Sequence, residues 1–498
     1  MKRLLFFSVL SIFCFTASAQ NWVQLGNDIN GKAPGDDFGR WASLSADGNT
    51  VAGGAQYNDD AGNDAGQVRV FSYNGTVWSQ KGADIDGEAA DDHSSRVSLS
   101  ADGNTLAVGA PYNDNTGNGS GNVRVFSFDG ANWVQLGATI PSETANDQSG
   151  GAVSMSADGT RVAIGSIDHR SQGINTGQVR VFGWNGNAWV KLGSNINGEA
   201  MEDQFGYSVK LSADGNTFVA GALYADPVSN GNGEISVYEF NGTEWIAKGD
   251  DIPGEQTNGN FGLSVDISAD GNTIISAESE FKSNSGDRIG RARVFSWNGT
   301  SWVQKGSSID GMGDFDKIGI RVAINNPGNI IAIKGLLGPG GATTLDGNTR
   351  IFKFNGTDWV QFGQTIYGQV GDNSGFGLEF SNTGDTISIG FPQSDANGQD
   401  SGQVRVYKFD QPLSVIETNQ EFGMLYPNPT TGNFTIDLGK EHANVTVQIY
   451  NILGQQISSE KYASAKIISK EITGSIGVYF VRISTVNEGS KTLRIIKE

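Results

Sequence analysis

The chain has 498 residues, of which 70 are glycine and one is cysteine, and its formal net charge at pH 7 is −20. Glycine is about twice as frequent as in an average protein, which indicates many turns, while 37% hydrophobic residues supply enough apolar surface for a core. The acidic balance argues against nucleic acid as a partner, because it repels phosphate groups. The lone cysteine excludes a disulfide scaffold.

Residues 1–19 have the pattern of a secretory signal peptide. Lys2 and Arg3 precede an apolar run, and Ala17-Ser18-Ala19 has the form of a cleavage site. The apolar run is too short to cross a bilayer, and no later segment is long and apolar enough to do so. We therefore expect an exported chain whose mature form has no transmembrane segment.

Residues 20–411 consist of a repeat of about 56 residues. A Ser-Ala-Asp-Gly-Asn-Thr segment, first seen at 45–50, recurs in phase with a tryptophan that marks every unit: Trp22, Trp78, Trp133, Trp189, Trp245, Trp302 and Trp359. Each unit has four short segments of alternating polarity, called a, b, c and d here, and Asp-Gly or Asn-Gly pairs separate a from b and c from d. Seven such units predict an all-β fold, a seven-bladed β-propeller.

The repeat begins and ends inside a unit. Trp22 opens a d segment with no a, b or c before it, whereas the last c segment, Val404 to Phe409, has no tryptophan segment after it. We predict that these two segments pair, so that the N-terminal strand closes the ring. The a–b and c–d turns then share one face, and the longer, acidic b–c and d–a loops share the other, where we expect function.

The loop ends carry a further pattern. Strand b of one unit ends in Gly109-Ala110-Pro111, and d–a loops end in Phe38-Gly39, Phe205-Gly206, Phe261-Gly262 and Phe376-Gly377. This combination resembles the FG-GAP repeat family, the seven-bladed propellers related to the integrin α-subunit head. The resemblance implies calcium binding in the a–b loop, but that loop keeps only one carboxylate here, such as Asp47, which argues against a site of the family type.

The b–c loops offer more oxygen ligands. Calcium takes six to eight oxygens, and the candidates in the first and last units are Asp59, Asp60, Asn63, Asp64, Asp395, Asn397 and Asp400. The alternative is that these residues are soluble turn formers. The sequence leaves both interpretations open, with Ca²⁺ as the only cofactor expected.

Aromatic residues raise the question of ligand contacts. The repeated tryptophans occupy one strand position in every unit, which is typical of packing. Trp41, beside a d–a loop, is the candidate ligand contact. Catalytic motifs are absent from the sequence, its three histidines are scattered, and its carboxylates are too numerous to be diagnostic.

After a linker at 412–422, residues 423–498 form a separate module. Alternating segments predict a small Ig-like β-sandwich. The module contains a Tyr-Pro-Asn-Pro start, a Tyr-Asn-Ile-Leu-Gly-Gln middle and a Gly-x-Tyr end, with the motif residues Tyr426, Pro427, Asn428, Pro429, Gly432, Gly454, Gly477 and Tyr479. It resembles the type A C-terminal sorting domain of the type IX secretion system. The resemblance implies contact with that machinery and delivery to the cell surface or the medium; the alternative is an ordinary Ig-like accessory domain.

Together these patterns predict a secreted or surface-attached, monomeric binding or adhesion protein without catalytic activity. Its ligand, an extracellular glycan or protein, is expected at the face of the b–c and d–a loops. The alternative function is an extracellular polysaccharide-degrading enzyme, either a glycoside hydrolase or a lyase.

Overall fold

The computed structural model describes residues 21–171, 173–226, 231–337, 346–373, 375–410, 424–452, 454–485 and 489–498. Two compact units divide after Asp410. The predicted signal peptide at 1–19 and linker at 412–422 lie outside the described residues. The described residues form strands and turns without an α-helix, as predicted, and so contain no helix that could span a membrane.

The first unit contains seven antiparallel sheets, or blades, built as an a-b-c-d meander in which a two-residue strand, here called e, also pairs with strand c. In blade order, the a strands are Trp41–Leu44, Arg96–Leu99, Ser149–Met155, Phe205–Leu211, Val265–Ile267, Arg321–Ile324 and Leu378–Phe380. The b strands are Thr50–Ala55, Thr105–Ala110, Arg161–Ser166, Thr217–Ala222, Thr273–Glu278, Ile330–Gly335 and Thr386–Phe391.

The outer strands complete each blade. The c strands are Gln67–Tyr73, Asn122–Phe128, Gln178–Trp184, Glu234–Phe240, Arg291–Trp297, Asn348–Phe354 and Gln403–Asp410. The d strands are Trp78–Gln80, Trp133–Gln135, Trp189–Lys191, Trp245–Ala247, Trp302–Gln304, Trp359–Gln361 and, for blade 7, Asn21–Gln24. The e strands are Ile85–Asp86, Ile140–Pro141, Ile196–Asn197, Ile252–Pro253, Ile309–Asp310, Ile366–Tyr367 and, for blade 7, Ile29–Asn30.

The N-terminal strand closes the ring, as the sequence predicts. Trp22 lies opposite Phe409, the last predicted residue of the c segment, in an antiparallel pair. Its indole Nε1 donates to the carbonyl of Phe362 in blade 6 at 3.0 Å. Every d-strand tryptophan donates in this way to the preceding blade, at 2.6 to 3.0 Å. The repeated tryptophan is thus an inter-blade connector.

The hydrophobic core lies between neighbouring blades. For example, Val68 and Val70 of blade 1 pack with Leu106 and Val108 of blade 2. Because each cluster needs two adjacent blades, the terminal blades depend on ring closure to bury their apolar faces.

The a–b turns meet around the central channel at what we call the closed face. The backbone N–H of Ala46 donates to the carbonyl of Ala101 in the next blade at 2.9 Å. The same bond repeats around the ring until Asn382 donates back to Ala46 at 2.7 Å. The seven donors are Ala46, Ala101, Ala157, Ala213, Ala269, Asn326 and Asn382.

A carboxylate holds the a–b turn in every blade except blade 6, where Asn325 accepts the turn hydrogen bonds instead. Asp47 Oδ1 accepts from Ser45 Oγ at 2.6 Å and from the backbone N–H of Asn49 at 2.9 Å. Burial alone raises the pKa of Asp47, but these hydrogen bonds outweigh it and leave the pKa below its ordinary value. The Ser-x-Asp-Gly pattern is therefore explained by turn geometry.

The second unit has five strands, Met424–Tyr426, Asn433–Asn451, Gln456–Glu471, Gly477–Thr485 and Gly489–Lys497, which pair as one continuous sheet folded into a small sandwich around a single core. The pairing of its longest strand is interrupted between Asp437 and His442. Phe434 and Ile436 before that interruption, and Val447 after it, share one buried core. A single long strand therefore supplies both halves of the sandwich.

The predicted motif residues have structural roles in this unit. Asn428 Nδ2 donates to the carbonyl of Arg494, and Asn428 Oδ1 accepts from the N–H of Ile496, both at 2.9 Å. Tyr479 is buried and donates its hydroxyl to Ser475 at 2.7 Å. Gly454 has φ +76°, which only glycine adopts easily. The other motif residues also lie in or beside strands or turns: Tyr426, Pro427, Pro429, Gly432 and Gly477.

Candidate functional site: the open mouth of the central channel

The a strands line the central channel, and their first residues lie at the opposite face, which we call the open face. Trp41, Arg96 and Arg321 of blades 1, 2 and 6 occupy equivalent positions, each opposite the fifth residue of strand b. Blades 3 and 4 have Ala152 and Ser208 at this position. The large side chains therefore break the symmetry of the ring on one side of the mouth.

Aromatic rings and guanidinium groups meet there. The mouth is a cavity of about 70 Å³ lined in part by these residues and by Tyr207 and Phe376. The Trp41 indole stacks on the Phe376 ring, with 5.2 Å between centroids and 13° between planes. The guanidinium carbons of Arg96 and Arg321 lie 4.6 and 4.8 Å from the centroid of the Trp41 ring. Trp41 is thus enclosed by cations and an aromatic neighbour.

Some donors in the mouth have no acceptor. Arg321 uses its Nε to bond the carbonyl of Phe376 at 2.8 Å, and Arg96 uses one Nη to bond Gln56 and Ser95 at 3.0 and 3.1 Å. By contrast, Trp41 Nε1 and Arg96 Nε are buried and have no hydrogen-bond partner in the described part of the chain. Buried polar atoms are usually satisfied by protein or water, so these two donors are available to an acceptor from outside the chain. An unpartnered Nε also occurs in buried arginines of the c strands, such as Arg124, whereas Trp41 is the only tryptophan of the described residues with an unpartnered buried Nε1.

The electrostatics of the mouth follow from burial. Burial, together with the charges of Arg40 and Arg321, lowers the pKa of Arg96 to about 10. Burial also lowers the pKa of Arg321 to about 10, although Tyr207 and Glu379 partly offset it. Both groups stay charged at neutral pH, but at a cost that a bound anion would relieve.

Deeper in the channel, a charged cluster lines the inner part of the same cavity. Lys210 Nζ is 2.5 Å from a Glu379 oxygen and 4.0 Å from an Asp266 oxygen. Burial, with the neighbouring Glu379, raises the pKa of Asp266 to about 6 despite the attraction of Lys210. Asp266 also accepts from the backbone N–H of Ile324 at 2.8 Å. The channel interior is therefore acidic behind a basic mouth.

Two shallower pockets flank the mouth on the open face. One of about 530 Å³ includes Tyr57, His93 and Tyr112, and shares Arg96 with the mouth. The His93 ring lies between the two tyrosines, at 5.3 and 5.0 Å. The other pocket, of about 350 Å³, includes Phe376 and Pro392. A ligand anchored in the mouth therefore has concave surface on both sides.

The predicted calcium ligands of blade 1 hold their own loop. Asp59 Oδ1 accepts from the backbone N–H of Asp64, and Asp60 accepts from Lys32, at 2.8 and 2.9 Å. Asn63 Nδ2 donates to Asp64 at 2.9 Å. A ligand atom of Asp64 also lies within 4.8 Å of ligand atoms of Asp91 and His93.

The b–c loop of blade 7 repeats this geometry. Asp395 Oδ1 accepts from the backbone N–H of Asp400 at 2.9 Å, and Asn397 donates to the carbonyl of Gly31 at 2.7 Å. These bonds support a role in turn formation. Calcium binding stays a prediction, and calorimetry on the EDTA-treated protein tests it: heat of binding and a raised melting temperature are expected, and a flat titration at millimolar Ca²⁺ contradicts it.

Sequence reasoning identified Trp41 but missed its neighbours. Phe376 was grouped with Phe38, which is only 1% exposed, yet Phe376 lines the mouth. Phe380 pairs with Ile387 in blade 7 as Leu44 pairs with Val51 in blade 1. Phe376 and Arg40 each lie four residues before the a-strand member of these pairs, so Phe376 is equivalent to Arg40 and not to Phe38. Aligning each unit on its a–b turn is the signal that finds Phe376, and it finds Arg96 and Arg321 as large residues where other blades have small ones.

Comparisons with known proteins identify the second unit. Residues 424–498 match the family described as the secretion system C-terminal sorting domain. This tail indicates export by the type IX secretion system to the cell surface or extracellular space, and thus contact with that machinery. No curated protein matches the chain.

Solved structures resemble the chain at low identity. A periplasmic gluconolactonase from Pseudomonas aeruginosa is 14% identical, with a TM-score of 0.45, over 85% of this chain and 99% of that one. The β-propeller domain of the Trilobed protease from Pyrococcus furiosus, described as having an open velcro topology, is 10% identical, with a TM-score of 0.41, over 70% and 90%. Raptor from Chaetomium thermophilum is 12% identical, with a TM-score of 0.47, over 79% of this chain and 29% of that one.

Proposed function

We propose that the exported propeller is a binding or adhesion protein without catalytic activity, and that its extracellular glycan or protein ligand is held at the open face, over the channel mouth. The observation that carries the proposal is the pair of buried, unpartnered donors, Trp41 Nε1 and Arg96 Nε. Leaving such groups unsatisfied costs free energy, which a ligand that supplies acceptors recovers.

The charge and shape of the surface around the mouth also support a ligand site at the open face. Arg40, Arg96 and Arg321 concentrate positive charge in a chain whose net charge is −20. A small enclosed cavity beside two larger pockets is typical of a ligand site, because one group of the ligand is anchored while the remainder lies on an adjacent concave surface. At the closed face the channel also has a cavity, of about 90 Å³, but there the carboxylates of turns such as Asp47 and Asp102 are hydrogen-bonded within the turns.

A glycan and matrix-protein array probed with the full chain tests the proposal. The wild-type protein is expected to retain one class of ligand, and the double variant Arg96→Gln/Arg321→Gln is expected to lose it. Arg170→Gln is the matched control, because Arg170 is an exposed arginine in a b–c loop of the same face. Equal retention by all three proteins would contradict a ligand site at the mouth.

A second candidate is an extracellular polysaccharide-degrading enzyme. It is favoured by the two carboxylates behind the mouth, Asp266 and Glu379, because glycoside hydrolysis uses such a pair and Asp266 has a pKa of about 6. Release of reducing or unsaturated products from polysaccharides by the wild type, abolished in Glu379→Gln, would favour this enzyme. Binding without product formation supports the first proposal.

A further inference from the structure

We infer that the channel mouth binds one carboxylate group of an acidic ligand, with Arg96 and Arg321 as the cationic partners and Trp41 Nε1 as an additional donor. The inference rests on the proposed function, because it specifies the chemistry of the ligand that the open face would hold. A uronic acid is the simplest sugar that carries such a group.

The charge pairing of the arginines is the first argument. Some buried arginines of the c strands have acidic partners: Arg405 lies 2.7 Å from Asp372, and Arg293 lies 3.0 Å from Glu278. Others bond uncharged oxygens, as Arg124 does with the Asp86 carbonyl and Ser94. Within the described residues, neither Arg96 nor Arg321 has a carboxylate within 4.0 Å in the way that the first two do. In an acidic chain, two adjacent arginines without this partner leave a place for an anion from outside.

The closeness of the two arginines and a free donor is the second argument. Both guanidinium groups lie within 5 Å of the same indole ring, and the indole N–H is itself without an acceptor. A carboxylate has two oxygens and several lone pairs, so it can accept from more than one of these donors at once. Because the Trp41 face is already covered by Phe376, the indole contributes its N–H rather than a stacking surface.

Cavity size limits what enters. A volume of about 70 Å³ is less than half of the roughly 150 Å³ that accommodates a benzene ring. A carboxylate fits, while the sugar or other body of the ligand remains outside in the pockets that contain Tyr112 or Pro392.

The channel interior favours a monoanion. Asp266 and Glu379 line the inner part of the same cavity and share a single lysine, Lys210, so that part has excess negative charge when both are ionised. That charge repels a dianion more strongly than a monoanion. A carboxylate is therefore expected to bind in preference to phosphate.

Titration of the full chain with simple probes tests the inference. By calorimetry, galacturonate is expected to bind and galactose to bind at least about tenfold more weakly, since a buried charge-assisted bond is lost. Arg96→Gln and Arg321→Gln should each weaken galacturonate binding by about tenfold or more. Arg170→Gln should not, and melting curves verify that each variant is folded.

A second measurement does not depend on the arginine variants. The indole N–H resonance of Trp41, assigned by its loss in Trp41→Phe, is expected to shift when galacturonate is added and to stay in place with galactose. Equal binding of the two sugars, or no response to galacturonate at tens of millimolar, overturns the inference. Inorganic phosphate or sulfate that competes as well as galacturonate overturns the preference for a carboxylate.

The outcomes separate the inference from the proposed function. In one outcome, the array identifies a ligand that the double arginine variant loses while galacturonate gives no response. That result would support a ligand site at the open face and contradict the inference that it binds a carboxylate. If the array ligand is retained by the double variant, the proposed function fails, whatever the sugar titration gives.

Discussion

The two faces of the propeller use polar groups in opposite ways. At the closed face, seven backbone hydrogen bonds join the a–b turns into a ring, and the carboxylate in turns such as Asp47 is held by its own turn. At the open face, buried donors of Trp41 and Arg96 have no partner in the described residues. One face satisfies its own polar groups, and the other leaves several for a ligand.

The two faces also differ in how far their residues repeat from blade to blade. The closed face repeats the same backbone bond in every blade and the same residues in blades 1 to 5, with Asn326 and Asn382 as donors in blades 6 and 7. The mouth has large side chains only on some blades, among them Trp41, Arg96 and Arg321. The bonds of Arg96 to Gln56 and of Arg321 to Phe376 do join neighbouring blades, but they use side chains that blades 3 and 4 lack at this position. We therefore expect the repeated residues to determine stability and the non-repeated residues of the mouth to determine binding.

Breaking ring closure should have the largest effect. Trp22 is 3% exposed and bonds blade 6, so Trp22→Ala is expected to destabilise the fold by about 3–5 kcal/mol. Val23→Ala, one residue along the same strand and 50% exposed, should change stability by less than about 0.5 kcal/mol. Urea unfolding measures both, and equal effects would show that the N-terminal strand does not close the ring.

Replacing a buried lysine, Lys334, should raise the stability of the protein rather than lower it. Lys334 is 1% exposed, and burial lowers its pKa from 10.5 to about 7, with Arg321 adding to the shift. Between pH 7 and 10.5 the unfolded state binds the proton and the folded state does not, so this group makes stability rise with pH.

Lys334→Met removes this titration. It is therefore expected to raise the melting temperature at pH 7 by a few degrees and to flatten the rise toward pH 10. Thermal unfolding from pH 6 to 10 measures both effects. A lower melting temperature with an unchanged pH profile would mean that the hydrogen bond from Lys334 Nζ to the Gly390 carbonyl, at 2.6 Å, outweighs the buried charge.

The turn carboxylates of the closed face should give a smaller, acid-dependent effect. Burial raises the pKa of Asp102, but hydrogen bonds from Ser100 and Asn104 outweigh it, so the folded pKa lies below 3.8. The stability that Asp102 contributes is present above pH 3.8 and is lost as pH falls through the folded pKa. Asp102→Asn should lower stability at pH 6 and show a smaller loss between pH 5 and 3 than the wild type; an identical acid profile contradicts this role.

Much of the fold was predictable because its signals are local. Asp-Gly and Asn-Gly pairs fix the hairpins, alternation fixes the strands, and the incomplete first and last units required Trp22 to pair with the last c strand. The Ser-x-Asp-Gly motif has an equally local cause, the hydrogen bonds within the turn. The hydrogen bond of each tryptophan to the preceding blade joins residues more than 50 positions apart and was not visible in one unit.

The site was predicted only in part, because it consists of departures from the repeat. Trp41 stood out as a tryptophan outside the periodic series. Arg96 and Arg321 did not, since their meeting at one ring depends on the register of three a strands. The acidic loops raised a different difficulty: Asp and Asn serve equally as turn formers and as metal ligands, so composition does not distinguish the two roles.

The most direct test measures melting temperature and ligand binding together in two variants. Trp133→Phe removes one inter-blade bond, from Nε1 to the Lys81 carbonyl at 2.7 Å, and should lower stability by about 1 kcal/mol with binding unchanged. Arg321→Gln removes a buried cation without a carboxylate partner and also its bond to the Phe376 carbonyl; these effects oppose each other, so the melting temperature should change little while binding weakens at least about tenfold. Loss of binding in Trp133→Phe without unfolding, or normal binding by Arg321→Gln, would contradict the division of the propeller into a structural face and a binding face.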